Sequence, residues 1–213
     1  MEYPKIETLF DRDPADMKRV LTDRLRDPAF GIPLVWMLTE KIDGTNIRLI
    51  LKDGSVSYAG RTADAQLPPH LLAALQRDFP SEKVAAAFEP GTHAIVFGEG
   101  YGPKIQKGGG LYRADPGFIV FDVAVLAGRV WWLEWDAVKE VAAKIGAPTV
   151  PVVAGQATIP EAVLAVSGGL RSVEAKEPRI AEGVVARTVP GLLMRNGQRL
   201  VWKLKGRDLG APE

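Results

Sequence analysis

The stretch Glu40-Lys41-Ile42-Asp43-Gly44-Thr45-Asn46 sets a lysine, whose amine is a nucleophile when neutral, at a predicted strand end. It lies between two apolar, strand-like runs, Leu34 to Leu38 and Ile47 to Leu51. Asp43-Gly44-Thr45-Asn46 is turn chemistry, because glycine tolerates positive φ and Asp, Thr and Asn side chains bond their own backbone. An amine attacks only when unprotonated, and a free lysine, with a pKa of about 10.4, is almost wholly charged at neutral pH. Nearby cations and partial burial both disfavour the ammonium form. The final apolar run supplies such cations: Lys203 and Lys205 are two apart, so on a strand both share one face while Trp202 and Leu204 take the other. Read without chemistry, the same residues are a solvated lysine on a hairpin and a half-buried edge strand with a basic face.

Glu99, in Phe97-Gly98-Glu99, and Glu182, in Glu182-Gly183-Val184-Val185, each fall at a predicted strand end beside glycine. Each is a capping or turn carboxylate, or the two are hard oxygen ligands for a divalent cation. Arg61, in Gly60-Arg61-Thr62, is a surface strand residue or a planar fork for phosphate. Phe121, in the run Phe118 to Asp122, reads as a core aromatic, and Asn46 as a turn amide. Lys104, Lys107 and Arg113 flank a Gly-rich loop, where they are solvated cations or track phosphates.

Positioning these groups requires mostly strands. Leu34 to Glu40 and Asn46 to Lys52 are expected to pair, and Asp53-Gly54 turns into Val56 to Arg61, which sets Lys41 on a meander. Thr92 to Phe97, Phe118 to Leu126, Val130 to Trp135 and Thr149 to Val153 read as further strands. Glu182 to Thr188 and Leu192 to Lys205, turning at Asn196-Gly197, close the sheet antiparallel. Helices are expected from Asp13-Pro14 to about Arg26, from Pro68-Pro69 through Leu75, over Ser81 to Phe88, Val138 to Ile145 and Ile159 to Val166. Lys104 to Gly110 and Arg171 to Arg179 are loops.

With 213 residues, 46% of them hydrophobic, the chain can bury a substantial core. It contains no cysteine, which excludes disulfides and thiolate metal sites, and His70 and His93 are too few and too far apart for zinc. Any metal is expected to be a hard ion on carboxylates. A net charge of +1 excludes a generic polyanion binder, and the start of the chain lacks an apolar signal core. A cytoplasmic protein is the expectation.

In their order and intervals, Lys41-Ile42-Asp43-Gly44, Gly60-Arg61-Thr62, Phe97-Gly98-Glu99, Phe118 to Asp122, Glu182 to Val185 and Lys203-Leu204-Lys205 resemble the covalent nucleotidyltransferase superfamily of polynucleotide ligases and RNA capping enzymes. The stretch Glu40 to Asn46, with Phe97-Gly-Glu-Gly-Tyr-Gly-Pro-Lys-Ile-Gln-Lys-Gly-Gly, is most similar to ATP-dependent RNA ligases. The resemblance implies an α+β nucleotidyltransferase fold with antiparallel sheets enclosing an ATP pocket. It implies one adenylation domain over residues 1–213, without an appended oligonucleotide-binding domain, since only residues 206–213 follow Lys205. The implied reaction has three steps: Lys41 takes AMP from ATP, AMP passes to a 5′-phosphate end, and a 3′-hydroxyl displaces it.

By the same resemblance Lys203 and Lys205 contact the α-phosphate and orient pyrophosphate. Glu99 is assigned to the ribose and Glu182 to the metal side, with both as ligand carboxylates for Mg²⁺ or Mn²⁺. Phe121 stacks on the purine, Arg61 meets a nucleotide or 5′-terminal phosphate, and Asp43 orients Lys41 or Arg61. Asn46 is required after lysine adenylylation, and Glu40 and Ile42 flank the nucleotide. The expected partners are RNA 5′-phosphate and 3′-hydroxyl ends, with DNA ends and an accessory protein as further candidates, in a role such as RNA repair. The alternatives are a minimal ATP-dependent DNA ligase, a capping-type transferase, and a non-catalytic nucleotide-binding module. The intact Lys41, Glu99, Glu182, Lys203 and Lys205 argue against the last.

Overall fold

The computed structural model describes every residue except Lys18, Ala63, Pro212 and Glu213. In chain order the strands are β1 (Glu7–Thr8), β2 (Phe10–Arg12), β3 (Val20–Leu25), β4 (Trp36–Glu40), β5 (Thr45–Lys52), β6 (Ser55–Ala59), β7 (Ala94–Tyr101), β8 (Gly117–Ala127), β9 (Arg129–Trp132), β10 (Val152–Ala157), β11 (Gly183–Arg187) and β12 (Val201–Lys205). The α-helices are α1 (Pro69–Asp78), α2 (Ser81–Ala85), α3 (Trp135–Lys144) and α4 (Ile159–Ser167). The architecture is mixed α/β and dominated by sheet. The chain divides into two compact units, a first of Met1–Tyr3 with Asp43–Val150 and a second of Pro4–Ile42 with Pro151–Glu213.

In the first unit five strands lie in the order β6-β5-β7-β8-β9, antiparallel throughout. β5 runs through buried Ile47, Leu49 and Leu51 and pairs along its length with β7, whose Ala94 to Gly98 are all buried. A strand covered on both faces reads as a continuous apolar run, as Ala94-Ile95-Val96-Phe97 does. The hydroxyl of Tyr3 donates to buried Asp122 at 2.8 Å, and its ring meets Phe97, Phe121 and Trp132 edge-on, which fastens the N-terminus to this sheet.

The second unit holds the sheet β1-β12-β11-β4-β10 and the separate hairpin β2-β3. Its pairings are antiparallel except β1 with β12, which is parallel. Trp36, Leu38, Val184, Ala186, Trp202 and Leu204 make its core beneath α4. That helix opens on a capping box: the Thr158 hydroxyl accepts from the Glu161 N–H, and the Glu161 carboxylate accepts from the Thr158 N–H at 2.8 Å. Among the described residues no helix is long and apolar enough to cross a membrane.

Four sequence expectations about the elements fail. No helix follows Asp13-Pro14; β2 and β3 form an antiparallel hairpin there, and Lys18 lies outside the described residues. The Asp13 carboxylate accepts from the Ala15 N–H at 2.9 Å, a turn bond made by the same residues that would cap a helix. The strands on either side of Lys41 do not pair, because β4 belongs to one sheet and β5 to the other. Leu34 and Val35 are exposed and precede β4, and residues 192–199 form the expected turn but no strand, with the Leu193 to Arg199 bridge and the Met194 N–H bonded to the Gln198 carbonyl at 2.7 Å before β12 begins.

Candidate active site

Lys41 is the first residue past β4, and its backbone N–H donates to the Gly183 carbonyl at 2.9 Å. That bond sets the lysine beside Glu182, the residue before β11. Gly183 has φ +152, and a Cβ there would lie 2.0 Å from the Leu204 carbonyl oxygen, so only glycine lets β11 and β12 close at this end. The opposite ends meet in register, Gly183 against Lys205 and Val185 against Lys203. Val201, Lys203 and Lys205 share the half-buried face of β12 while Trp202 and Leu204 are buried, the alternation expected from the two-residue period. β12 lies between β1 and β11, so it is not an edge strand.

The side chains converge on Glu182. One carboxylate oxygen lies 2.5 Å from the Lys41 Nζ and the other 2.5 Å from the Lys205 Nζ, with the three side chains between 14% and 22% exposed. Burial pushes the Glu182 carboxyl up, but the ammonium groups of Lys41 and Lys205 outweigh it and hold the group below the usual carboxylate range. Two ammonium groups share one carboxylate, so the cluster carries +1, and loss of one proton would leave it neutral. Sequence spacing brings Lys203 and Lys205 to one face, but the direct pairing of Glu182 with both the nucleophile and Lys205 appears only in the fold.

Glu40 is buried, and its carboxylate is committed to the loop that follows α4. It accepts from the Ser172 hydroxyl, from the Val173 N–H at 2.7 Å and from the Glu174 N–H at 3.1 Å. Its side chain is therefore a latch on residues 172–174, one position before the lysine. Ile42 is buried.

The first unit carries the other candidates. Asn46 and Glu99 face each other across the β5–β7 ladder, and Glu99 lies within β7, not at its end. The Asn46 side-chain oxygen is buried without a hydrogen-bond donor among the described residues. Gly44 packs so tightly against β7 that a Cβ would lie 2.3 Å from the Gly100 carbonyl oxygen and 2.7 Å from the Glu99 Cγ. The Asp43 N–H donates to the Tyr112 hydroxyl oxygen at 3.2 Å, and the Gln106 amide donates to the Gly44 carbonyl at 3.1 Å. The Gly-rich loop is thus tied to the Asp43-Gly44 bend.

Phe121 is half-buried. Phe97 pairs with Asp122 and its neighbour Gly98 with Val120, so Phe121 is the extra residue of a β-bulge, a device that re-aims a side chain. Arg61 is exposed just beyond β6. Behind it, buried Arg48 donates to the Gly60 carbonyl and to the Met1 carbonyl, each at 2.7 Å. Sequence reasoning missed Arg48, Tyr3, Gln106, Tyr112 and Ser172 as supports. An arginine inside an apolar strand was the one available signal. Among the described residues no group of three His, Asp or Glu could hold a metal ion.

The RNA ligase family model matches residues 34–205. A search of curated proteins finds no match. Among solved structures, a variant of the Naegleria gruberi RNA ligase with ATP and manganese superposes with a TM-score of 0.65 at 15% identity, covering 97% of this chain and 64% of that one. The same enzyme with pyrophosphate gives 0.63 at 17% identity, and another variant with AMP and manganese gives 0.61 at 17%, each covering 95% of this chain and 61% of that one. This chain therefore spans less than two thirds of the length of the structures it matches. At these identities the superpositions establish a common fold, and with a family match over most of its length the chain belongs to the RNA ligase family.

Proposed function

We propose that the protein is an ATP-dependent RNA ligase that joins 5′-phosphate and 3′-hydroxyl ends through a Lys41–AMP intermediate. The observation that carries this reading is the pairing of Lys41 and Lys205 with the two oxygens of Glu182, in a chain of the RNA ligase family. In the first step Lys41 releases a proton to solvent and its bond to Glu182 breaks. Its Nζ attacks the α-phosphorus of ATP, forming a P–N bond as the bond to the bridging oxygen breaks and pyrophosphate leaves. Lys205 keeps its charge and, with Lys203, meets the negative charge that develops on the phosphoryl oxygens and the leaving group. The 5′-phosphate of RNA then takes AMP from Lys41, and a 3′-hydroxyl displaces AMP to seal the strand.

Both Glu182 oxygens are ion-paired, so the carboxylate would offer an oxygen to Mg²⁺ only once Lys41 has let go, and the ion would be carried largely on nucleotide phosphates and water. When bound, the ion supplies charge neutralisation at those phosphates. The Naegleria structures with ATP or AMP and manganese support the same ligand class. On this reading Glu99 serves the ribose or the metal, Phe121 the purine, Arg61 a phosphate, Asp43 the orientation of a neighbouring side chain and Asn46 the incoming 5′-phosphate. Glu40 and Ile42 act by fixing the backbone at Lys41. We further propose that both units belong to one adenylation domain.

The test supplies 5′-phosphorylated RNA, ATP and Mg²⁺. Adenylylated RNA followed by sealed product is expected, with Asn46→Ala keeping lysine adenylylation and losing transfer. A preference for GTP and a 5′-diphosphate end, with no sealing of any phosphorylated end, would refute it.

A further inference from the structure

The first unit contains a cavity of about 520 Å³ that none of the proposed active-site residues lines. Three cations reach it: Arg77 from the end of α1, Lys83 from α2, and Arg113 from the loop before β8. Against them stand Asp78, which takes Arg77 through two bonds of 2.6 and 2.8 Å, and Asp115, which takes Arg113 at 3.1 to 3.3 Å. Three positive and two negative groups leave the cluster at +1. The Lys83 ammonium donates to the Asp78 carbonyl at 2.8 Å, which uses one of its three N–H donors.

Two glycines make room for these cations. A Cβ on Gly117 would lie 1.8 Å from Nη1 of Arg113, and one on Gly146 would lie 3.1 Å from the Lys83 Nζ. The guanidinium therefore lies against the bare backbone of Gly117 and over the Tyr101 ring, 5.5 Å from its centroid, with its Nε and Nη2 turned to Asp115. The aromatic rings in the wall, Phe79 and Phe118, are only 5% and 1% exposed, so the cavity presents little surface on which a base could stack. Its chemistry suits a compact polar anion.

We propose that this cavity binds a phosphate group, supplied either by the backbone of a polynucleotide or by free phosphate or pyrophosphate. The polynucleotide source rests on the RNA-ligase reading; the anion site itself does not. Cations spread over two helices and a loop would hold a strand phosphate by charge and N–H donation without reading its sequence.

The full chain and its variants Arg113→Ala, Lys83→Gln and Gly117→Ala are titrated with 5′-phosphorylated single-stranded RNA at several salt concentrations. Inorganic phosphate and pyrophosphate are titrated separately by calorimetry. Gly117→Ala is the decisive variant, because it displaces the guanidinium without changing the charge, and it also serves if Arg113→Ala does not fold. Lys144→Gln, an exposed ion-paired lysine of α3, is the control. Arg113→Ala and Gly117→Ala are each expected to weaken the cognate anion by roughly fivefold or more. For RNA, the slope of log K against log salt should become shallower by about 0.7 for each phosphate that is no longer neutralised. Weakened RNA binding with unchanged phosphate binding assigns the cavity to strand phosphate, and the converse assigns it to the free anion. Binding of all three anions unchanged in every variant, or abolished in Arg113→Ala but intact in Gly117→Ala, overturns the proposal. Adenylylation of Lys41 is followed in parallel: its absence from the unmodified protein would count against the ligase reading and leave the cavity result standing.

Discussion

Glu182→Gln removes one negative charge and keeps the side-chain volume, which leaves the ammonium groups of Lys41 and Lys205 facing a neutral amide. Losing one member of a fully buried ion pair costs about 3–5 kcal/mol, and with these side chains 14% to 22% exposed a discounted figure of about 2–3 kcal/mol applies. With a urea m-value of about 2–3 kcal/mol/M, the unfolding midpoint at neutral pH should fall by about 1 M. The pH dependence has a definite sign. The folded carboxyl titrates below its unfolded value of about 4.3, so its contribution is fully present above that value and is lost as pH falls through the folded one. The gap between wild type and variant should therefore be widest near neutral pH and close in acid. Urea unfolding of both proteins at neutral pH and at two acid pH values measures it. A gap that stays constant with pH, or one below about 0.5 kcal/mol at neutral pH, would refute the reasoning, since surface pairs of no consequence behave that way.

Lys205→Ala should slow lysine adenylylation by about 10²-fold or more, measured by single-turnover labelling, because on the proposed mechanism its charge meets the phosphoryl group. Near-normal rates would remove Lys205 from the chemistry. Glu40→Gln leaves at least one of the donors at Ser172, Val173 and Glu174 unmatched, at a cost of about 1–3 kcal/mol. Trypsin should then cut faster at Arg171 and Lys176, and an unchanged digestion pattern would contradict the latch. Tyr3→Phe strips a hydrogen bond from fully buried Asp122 and should destabilise the protein by about 1–3 kcal/mol in urea unfolding.

Alternation along Val201 to Lys205 was legible because a two-residue period survives whatever the neighbouring strands are, and β7 was legible for a different reason, a continuous apolar run that marks a strand covered on both faces. Membership in the RNA ligase family was legible from ordered short motifs. Pairing was not. The strands flanking Lys41 are sequence neighbours with hairpin-like turn residues between them, yet each finds better partners in a different sheet, a choice made by long-range packing. Asp13-Pro14 satisfies the chemistry of a helix cap and of a turn equally well, and in the fold Asp13 makes a turn bond while buried Val20 opens a strand that pairs back on β2. The bulge at Phe121 depends on the partner strand and leaves no trace in its own residues. Glu182 read as a candidate for a metal, whereas in the fold it first holds two lysines.

On the proposed mechanism Lys41 carries the nucleotide. The protein is incubated with α-labelled ATP and Mg²⁺, denatured and resolved by electrophoresis, with Lys41→Ala alongside and the labelled peptide mapped. The account predicts a covalent AMP adduct on Lys41 that is stable to alkali and lost in acid, because protonation of its nitrogen opens the P–N bond, and no label in the variant. Label that persists in Lys41→Ala, or that maps to another residue, would contradict it.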